Sequence, residues 1–281
     1  MHIRNLGMED LGFALSIIND EGWGYTREEL ERMLRLDPSG SFLYEAEAPL
    51  GVAMAVTYGS TGVIGHLVVS KKGRGRKIGQ SLLEHVLDYF EGAGTDSVLL
   101  YATDDGKRLY ERYGFRRFST AWCVNAVIPD YRGQESGLSV PMRHHDLEEI
   151  IEIDRRLFGD DRSKLLKTLF EEFPEHSFKL ERDGSIKGFV FARRTSAGYD
   201  LGPWACLTNS GRDAEDLFKT VVSSFKPGKM FLGVFMDNEN AIRVAKSLMT
   251  VRSWETTAMV KGKARYPDTR HVCGVAAFEL G

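Results

Sequence analysis

The sequence has few of the features that mark secreted, membrane or metal-binding proteins. Its three cysteines, Cys123, Cys206 and Cys273, are odd in number and far apart, and no histidine or cysteine stands at metal-ligand spacing. We interpret them as reduced thiols of a cytoplasmic protein, and we expect no bound metal. No apolar run approaches the length needed to cross a membrane, and residues 1–10 carry charges where a signal peptide needs an apolar core. We therefore expect no membrane association.

The sequence also lacks an excess of positive charge. The net charge is −3 and the isoelectric point is about 6.2, so no general affinity for nucleic acids is expected. A composition of 42% hydrophobic and 27% charged residues is that of a globular protein. A chain of 281 residues is long for one core and suits two domains of roughly 140 residues each.

The predicted secondary structure has the same order in both halves of the chain: helix, helix, hairpin, strand, helix, strand, helix, strand. A turn-rich stretch at 129–137 separates the halves, so we predict domains at 1–130 and 138–281. The fold class is predicted as α/β (α+β), each half a mixed, mostly antiparallel sheet flanked by helices. A helix is predicted at Arg27–Leu36, with a capping box from Thr26 and Glu29. A strand is predicted at Trp122–Ile128, where it would close the first half.

A basic, glycine-bearing loop stands between a predicted strand and a predicted helix. It carries five basic side chains: Lys71, Lys72, Arg74, Arg76 and Lys77. A helix N-terminus with free N–H groups and flanking cations is an anion site, and glycines let the backbone approach phosphate oxygens. The triphosphate loop and the dinucleotide fingerprint are both missing, so a pyrophosphate is the favoured ligand. The alternative is an ordinary basic surface turn.

This loop resembles the acyl-CoA-binding signature of the GNAT family of N-acetyltransferases, R/Q-x-x-G-x-G/A after a strand. Arg74 and Gly79 match the first and last positions, while Lys77 stands where the middle glycine is expected. Downstream, the run Asp105–Phe115 resembles the family's A-x-x-L-Y-E-K-x-G-F segment. Shorter stretches at 21–23 and 56–59 are similar to members with two such domains.

The resemblance implies acetyl-CoA as cosubstrate and direct attack by an amine of a small molecule or a protein, with the thioester in a gap between splayed strands. Tyr110 would protonate the departing thiolate as general acid; the alternative is a core tyrosine. The residues that would contact the cosubstrate lie on the strand, the loop, the following helix and the next strand end: Leu67, Val68, Val69, Arg74, Gly75, Arg76, Lys77, Ile78, Gly79, Gln80, Thr103 and Tyr110.

The general base is left open by the sequence. His66 titrates near neutral pH, but strand alternation would turn it toward the helices if Gly65 and Leu67 face the acceptor. Glu45 lies on a neighbouring strand and is a second candidate. On the substrate side we expect Trp23, Tyr25 and Tyr58, whose alternative role is packing.

The second half lacks both chemical features of the first. Its corresponding loop carries three carboxylates, Asp213, Glu215 and Asp216, which would repel a pyrophosphate, and Ala245 stands where the first half has Tyr110. We therefore expect a degenerate domain that shapes the pocket through Trp204 or Trp254. Two alternatives for the whole chain remain: transfer of a longer acyl group, and a non-catalytic acyl-CoA sensor. The sequence does not indicate an oligomeric state.

Overall fold

A computed structural model describes residues 2–133, 137–208 and 210–281, so residues 134–136 of the predicted linker lie outside it. The first half comprises β1 (His2–Asn5), α1 (Leu11–Asn19), α2 (Arg27–Leu36), β2 (Ser41–Glu45), β3 (Pro49–Tyr58), β4 (Thr61–Val69), α3 (Ile78–Gly92), β5 (Ser97–Ala102), α4 (Asp104–Arg112) and β6 (Arg116–Val127). The second comprises β7 (Ser139–Pro141), α5 (Leu147–Phe158), α6 (Ser163–Glu172), β8 (Ser177–Arg182), β9 (Ser185–Thr195), β10 (Gly198–Cys206), α7 (Gly211–Ser223), β11 (Lys229–Phe235), α8 (Glu239–Lys246), β12 (Thr250–Gly262) and β13 (Val272–Gly274).

The predicted fold class is confirmed: the chain forms a mixed, mostly antiparallel sheet flanked by helices. Helix α2 has its predicted bounds and its capping box, in which the Thr26 backbone N–H donates to Glu29 Oε2 at 2.8 Å. The Thr26 hydroxyl donates to the same oxygen at 2.6 Å. Strand β1 was missed, since four residues with one apolar side chain give no alternating pattern.

Helix α3 positions the loop that precedes it. Its apolar residues recur at helical spacing and form one buried face: Ile78, Leu82, Leu83, Val86 and Phe90. This face packs on β3 and β4. The N-terminus of α3 is thereby held at the end of β4.

The two halves share one continuous sheet by exchanging their last long strands. Strand β12 of the second half lies between β5 and β6, and β6 in turn pairs with β11. The strand predicted at Trp122–Ile128 therefore does not close the first half on its own. The predicted division into 1–130 and 138–281 stays a prediction, and the sheet is continuous across it.

Parallel strands diverge in each half. In the first, β4 pairs with β5 only through Thr61–Ile64, and β4 continues to Val69 without a strand on that side within the described chain. In the second, β10 pairs with β11 only through Tyr199–Leu201, and β13 then lies in the gap. The Cys206 N–H donates to the His271 carbonyl, and the Val275 N–H donates to that of Gly233, both at 2.9 Å.

No helix among the described residues is long and apolar enough to cross a bilayer.

A buried ion pair fixes the end of the chain. The Arg162 guanidinium donates from Nε and Nη2 to both oxygens of Asp154 at 2.8 Å, and from Nη1 to the Gly281 carbonyl at 2.5 Å. The same guanidinium lies over the Phe158 ring, 4.2 Å from its centre. Because the residues before Gly281 follow β13, this contact positions the C-terminal tail, residues 275–281.

Loss of the Asp154 carboxylate should destabilise the folded protein. Asp154→Ala leaves Arg162 buried without its counter-charge and is expected to lower the free energy of unfolding by about 3–5 kcal/mol. Urea unfolding measures this change. Glu152→Ala on the same helix removes an exposed pair with Arg155 and serves as the control, with an expected loss of about 0–1 kcal/mol. Equal losses in the two variants would contradict the anchoring role.

Candidate active site

A pocket of about 260 Å³ lies where β4 and β5 diverge, between the two halves. We call it the inter-half pocket. The first half contributes Trp23, Gly24, Tyr25, Glu29, Gly65, His66, Tyr101, Thr103 and Asn125. The second half contributes Thr195, Ala197, Gly198, Tyr199, Asp200, Lys229, Met230, Phe231, Trp254, Thr256, Ala277, Phe278 and Glu279. The exchange of strands brings these two sets of residues together.

Three buried carboxylates from distant parts of the sequence meet in this pocket. Glu29 of α2, Asp200 of β10 and Glu279 of the C-terminal tail have oxygen atoms within 4.8 Å of one another. We call them the acidic cluster. The Tyr25 hydroxyl donates to Glu279 Oε2 at 2.9 Å, and Arg193 forms a buried ion pair with Asp200. Together the groups form a compact site with more negative than positive charge.

Burial and mutual repulsion make the acidic cluster hard to ionise fully. Burial, followed by the charges of Glu29 and Asp200, raises the pKa of Glu279 to about 8, although Arg193 opposes the shift. Burial, followed by the charge of Asp200, also raises the pKa of Glu29. The cluster therefore holds a proton on Glu279 for much of the time near neutral pH and releases it at slightly higher pH.

His66 lies against this pocket rather than turning away from it. A register irregularity opposite Met54 and Ala55 leaves Gly65 unpaired, and both Gly65 and His66 then line the pocket, contrary to the alternation expected from the sequence. The imidazole is 1% exposed, and neither ring nitrogen has a hydrogen-bond partner within the described chain. Burial lowers the pKa of His66 to about 3, so the ring is neutral at physiological pH.

The other predicted substrate-side residues divide into two groups. Trp23 and Tyr25 line the pocket, with ring centres 6.2 and 4.5 Å from that of His66. Tyr58 does not: it is buried against Phe158, with ring centres 5.9 Å apart. Its β3 side chain packs into the core instead.

Glu45 is also removed from the pocket. Its carboxylate accepts a hydrogen bond from Arg4 Nε at 3.1 Å and lies 3.6 Å from His2 Nε2, near the β1 edge of the sheet. Strand β3 separates β2 from β4. Glu45 is thus placed as a surface ion-pair residue and not as a base.

The basic loop forms an exposed cradle at the far end of the diverging part of β4. Lys71, Lys72, Arg74, Arg76 and Lys77 are exposed; Arg74 pairs with Glu21. Gly75 has φ +75°, and a Cβ added there would meet no atom within 4 Å, so the backbone is open to a ligand. The N–H groups of Ile78, Gly79 and Gln80 begin α3 and have no acceptor within the helix. The Ser70 hydroxyl, on the strand side, is buried without a partner in the described chain.

Tyr110 lies on α4 near the same cleft. It is 8% exposed and packs against Phe115, with ring centres 5.7 Å apart, within the apolar cluster that includes Ile78 of α3. Burial raises the pKa of its hydroxyl above the usual value, so the hydroxyl stays protonated. Thr103, which precedes α4, lines the inter-half pocket and connects the two regions. Leu67, Val68 and Val69 form the last three residues of β4.

The carboxylates of the second-half loop are engaged in internal contacts. Asp213 accepts from Arg182 and from the Thr208 hydroxyl at 2.7 Å. Asp216 accepts from the Ser139 N–H at 3.0 Å and from its hydroxyl at 2.5 Å. Asn209 of this loop lies outside the described residues.

Three further residues of the second half, Ala245, Trp204 and Trp254, were predicted to replace the tyrosine or to shape the pocket. Ala245, predicted to replace the tyrosine, is buried in the core. Trp254 lines the inter-half pocket, whereas Trp204 packs on Phe218 in the core. Of the two tryptophans proposed to shape the pocket, the structure places only Trp254 there.

Sequence reasoning missed the acidic cluster as a unit. Glu29 was recognised only as a capping residue, and Asp200 gave no signal. Glu279 did carry one: it is the single charge in the apolar run Val275–Leu280. A carboxylate in such a run is rarely buried without a function or a partner.

The raised pKa of Glu279 should be visible in stability. The folded state keeps its proton up to about pH 8, while an unfolded glutamate loses it near about pH 4.3. The free energy of unfolding should therefore fall as pH rises through this window. Glu279→Gln removes that loss, so between pH 5 and pH 9 its stability should rise relative to wild type by a few kcal/mol, on the order of 1.4 kcal/mol per pKa unit.

Chemical denaturation of both proteins at the two pH values measures the difference. Glu255→Gln changes an exposed carboxylate on β12 and is the control, with no pH-dependent difference expected. A Glu279→Gln protein that tracks wild type at both pH values would contradict the burial-induced pKa shift.

Comparison with known proteins agrees with this geometry. Two sequence profiles, each described as an acetyltransferase (GNAT) domain, match residues 20–134 and 150–273. A Pseudoalteromonas protein named holothin acyltransferase is 23% identical over 265 residues, which cover 93% of this chain and 88% of that protein.

Solved structures match over almost the whole length. A Pyrococcus horikoshii protein assigned as an acetyltransferase has a TM-score of 0.81 at 21% identity, covering 100% of this chain and 95% of its own. A GCN5-related N-acetyltransferase from Sphaerobacter thermophilus has a TM-score of 0.71 at 15% identity, covering 93% and 95%. With diverging strands, a basic loop at a helix N-terminus and two matching profiles in tandem, the chain belongs to the GNAT acetyltransferase family.

Proposed function

We propose that the protein transfers an acetyl group from acetyl-CoA to a primary amine, and that the first half alone binds the donor. The observation that carries this proposal is the difference between the two clefts. Among the described residues, β4 has no partner on one edge from Gly65 to Val69, whereas the same edge of β10 is covered by β13. An extended donor can add to the free edge of β4 through backbone hydrogen bonds, and it has no such edge in the second half.

The residues of the first half fit acetyl-CoA. The exposed cations of the loop and the free N–H groups at the start of α3 suit a pyrophosphate, and Gly75 leaves room for its oxygens. The backbone of Leu67, Val68 and Val69 suits the amide-bearing arm of the donor. When bound, acetyl-CoA supplies an activated thioester; the protein supplies orientation and proton transfer.

Two parts of the chain then have chemical roles. A backbone N–H of β4 beyond its bulge can stabilise the oxyanion of a tetrahedral intermediate. Tyr110 stays protonated because it is buried, and it can donate its proton to the departing sulfur. The name of the Pseudoalteromonas relative supports acyl transfer as the reaction class.

Binding stoichiometry tests the location of the donor site. Calorimetric titration of acetyl-CoA should give one site per chain. Gly75→Asp places a carboxylate in the cradle and should weaken binding at least tenfold, equivalent to about 1.4 kcal/mol. Gly75→Asn has the same shape without the charge and tolerates a positive φ, so it should keep most of the affinity. Two sites would contradict the inactive second cleft, and no binding would refute the proposed donor.

Removal of the Tyr110 hydroxyl tests catalysis. Tyr110→Phe keeps the packing against Phe115 and should lower kcat by about 10²–10⁴-fold while acetyl-CoA affinity is retained, as for loss of a general acid. CoA release, followed with a thiol reagent, measures the rate. Unchanged kcat would show that Tyr110 is only a core residue.

A further inference from the structure

We propose that the inter-half pocket selects a compact amine in its protonated form, with the ammonium group against the acidic cluster, and that Glu279 is the base that removes its proton. This proposal rests on the proposed function. Residues outside the sequence motifs would then define the class of amine and supply the general base. The C-terminal tail of the second half would thus complete the active site of the first.

The charge in the pocket favours a cation. Glu29, Asp200 and Glu279 bring three carboxylates together. The buried Arg193 guanidinium pairs with Asp200 and offsets part of the charge of the other two, while Lys229, a cation among the lining residues, is exposed. Buried carboxylates without counter-charge are unfavourable, so the cluster either keeps a proton or binds a positive group. An ammonium group supplies both the charge and several hydrogen-bond donors.

A second, independent feature also indicates a ligand. Both ring nitrogens of His66, the hydroxyl of Tyr101 and the amide oxygen of Asn125 are buried and have no hydrogen-bond partner within the described chain. All three residues line the inter-half pocket. Buried polar atoms of this kind are normally satisfied, so several of them around one cavity indicate a polar molecule that the protein is shaped to receive.

The walls define the rest of the ligand. Seven aromatic residues from both halves line the pocket: Trp23, Tyr25, Tyr101, Tyr199, Phe231, Trp254 and Phe278. Aromatic faces attract cations and pack on flat apolar groups. With a volume of about 260 Å³, the pocket suits a small molecule with an apolar or aromatic body.

A divalent cation fits this site less well. Each carboxylate already accepts a hydrogen bond or ion pair from the protein: Glu29 from Thr26, Glu279 from Tyr25, and Asp200 from Arg193. A divalent ion would lie close to the buried guanidinium, which repels it. An ammonium group carries one positive charge instead of two, and it can donate hydrogen bonds to these oxygens while they keep their protein partners.

Glu279 is close to the point where the acceptor must react. A Cβ added to Gly65 would lie 2.6 Å from Glu279 Cβ, so the tail contacts β4 directly at its bulge. This is the point where β4 leaves β5 and the donor cleft begins. A carboxylate there can take a proton from the bound ammonium before attack.

The resulting step is balanced in atoms and charge. Glu279 accepts a proton from the ammonium, and the neutral amine attacks the thioester carbon, so that a C–N bond forms and the C–S bond breaks. The departing thiolate takes the Tyr110 proton. Of the two protons left on nitrogen, one is lost as the intermediate collapses and the other stays in the amide. Glu279 then releases its proton, and Tyr110 regains one from solvent, so the products are the amide and CoA with net release of one proton.

The pH dependence follows from the groups that face Glu279. These are Glu29 on α2, Asp200 on β10, Arg193 on β9 and Tyr25 before α2. The pocket also contains His66 on β4, Tyr101 on β5, Tyr199 on β10 and Lys229 on β11, and Tyr58 interacts with Glu279 electrostatically from the core. Since Glu279 has a pKa of about 8, it is mostly protonated at pH 7 and becomes a competent base as pH rises through about 8. The value of kcat/KM, which reports groups of the free enzyme, should rise over the same range.

Binding of a matched pair of probes tests the cation site. Tryptamine and its neutral alcohol analogue tryptophol share an aromatic body and differ in the ammonium group. On the full chain saturated with CoA, tryptamine should bind at least tenfold more tightly. Glu279→Gln should remove this preference, and the exposed control Glu255→Gln should keep it. At pH 7 tryptamine binding should release protons. Calorimetry detects this release because the binding enthalpy then differs between buffers of different ionisation enthalpy.

Several outcomes would overturn the proposal. Equal affinity for amine and alcohol, or no binding of either, would refute the cation site even where acetyl-CoA binds normally; absence of acetyl-CoA binding would instead refute the proposed function. Tight binding of Mg²⁺ or Mn²⁺ that competes with tryptamine would reassign the cluster to a metal. If Glu279→Gln does not fold, the probe pair and proton release on the wild-type chain still decide the matter.

Kinetics then separate a base from a binding residue. The pH profile of kcat/KM is measured with two aromatic amines of different pKa. The inflection caused by Glu279 should stay at the same pH for both amines, and the inflection caused by the free amine should move with the pKa of that amine. Glu279→Gln should lose the first inflection and lower kcat by about 10²–10⁴-fold. A higher KM with unchanged kcat and an unchanged profile would show that Glu279 only binds the amine.

Discussion

The pairing of β6 with β12 is the interaction on which the rest of the structure depends. Each strand completes the sheet of the opposite half, because β12 pairs with β5 and β6 pairs with β11. The two halves cannot move apart without breaking this long ladder of hydrogen bonds. A pocket formed between them can therefore hold side chains from both in fixed positions, as catalysis requires.

The C-terminal tail connects the cleft of the second half with the inter-half pocket. Residues 271–275 occupy the gap between β10 and β11, so the second cleft is filled by the protein's own backbone. The same segment then passes Gly202, where a Cβ would lie only 1.8 Å from the Val275 carbonyl oxygen, and reaches Gly65 of the first half. In this arrangement one segment both fills the gap between β10 and β11 and places Glu279 beside Gly65.

The sequence predicted what local patterns determine. Helix α2 with its capping box and the glycine-bearing loop before α3 are encoded by neighbouring residues. Trp23 was expected at the pocket from its position in the loop between the first two helices. The acidic cluster could not be predicted, because its members are up to 250 positions apart in the chain and meet only after strand exchange. The bulge at Gly65 likewise depends on pairing with β3, and it reversed the expected direction of His66.

The exchanged strands also have a consequence for how the chain reaches its native state. Strand β5 ends at Ala102, yet its neighbour β12 begins only at Thr250, so the first half cannot complete its sheet until nearly the whole chain has left the ribosome. Contacts between such distant segments slow folding, since a long loop must close before they contribute stability. During synthesis the edge of β5 that later pairs with β12 is open to association with other chains until β12 is made.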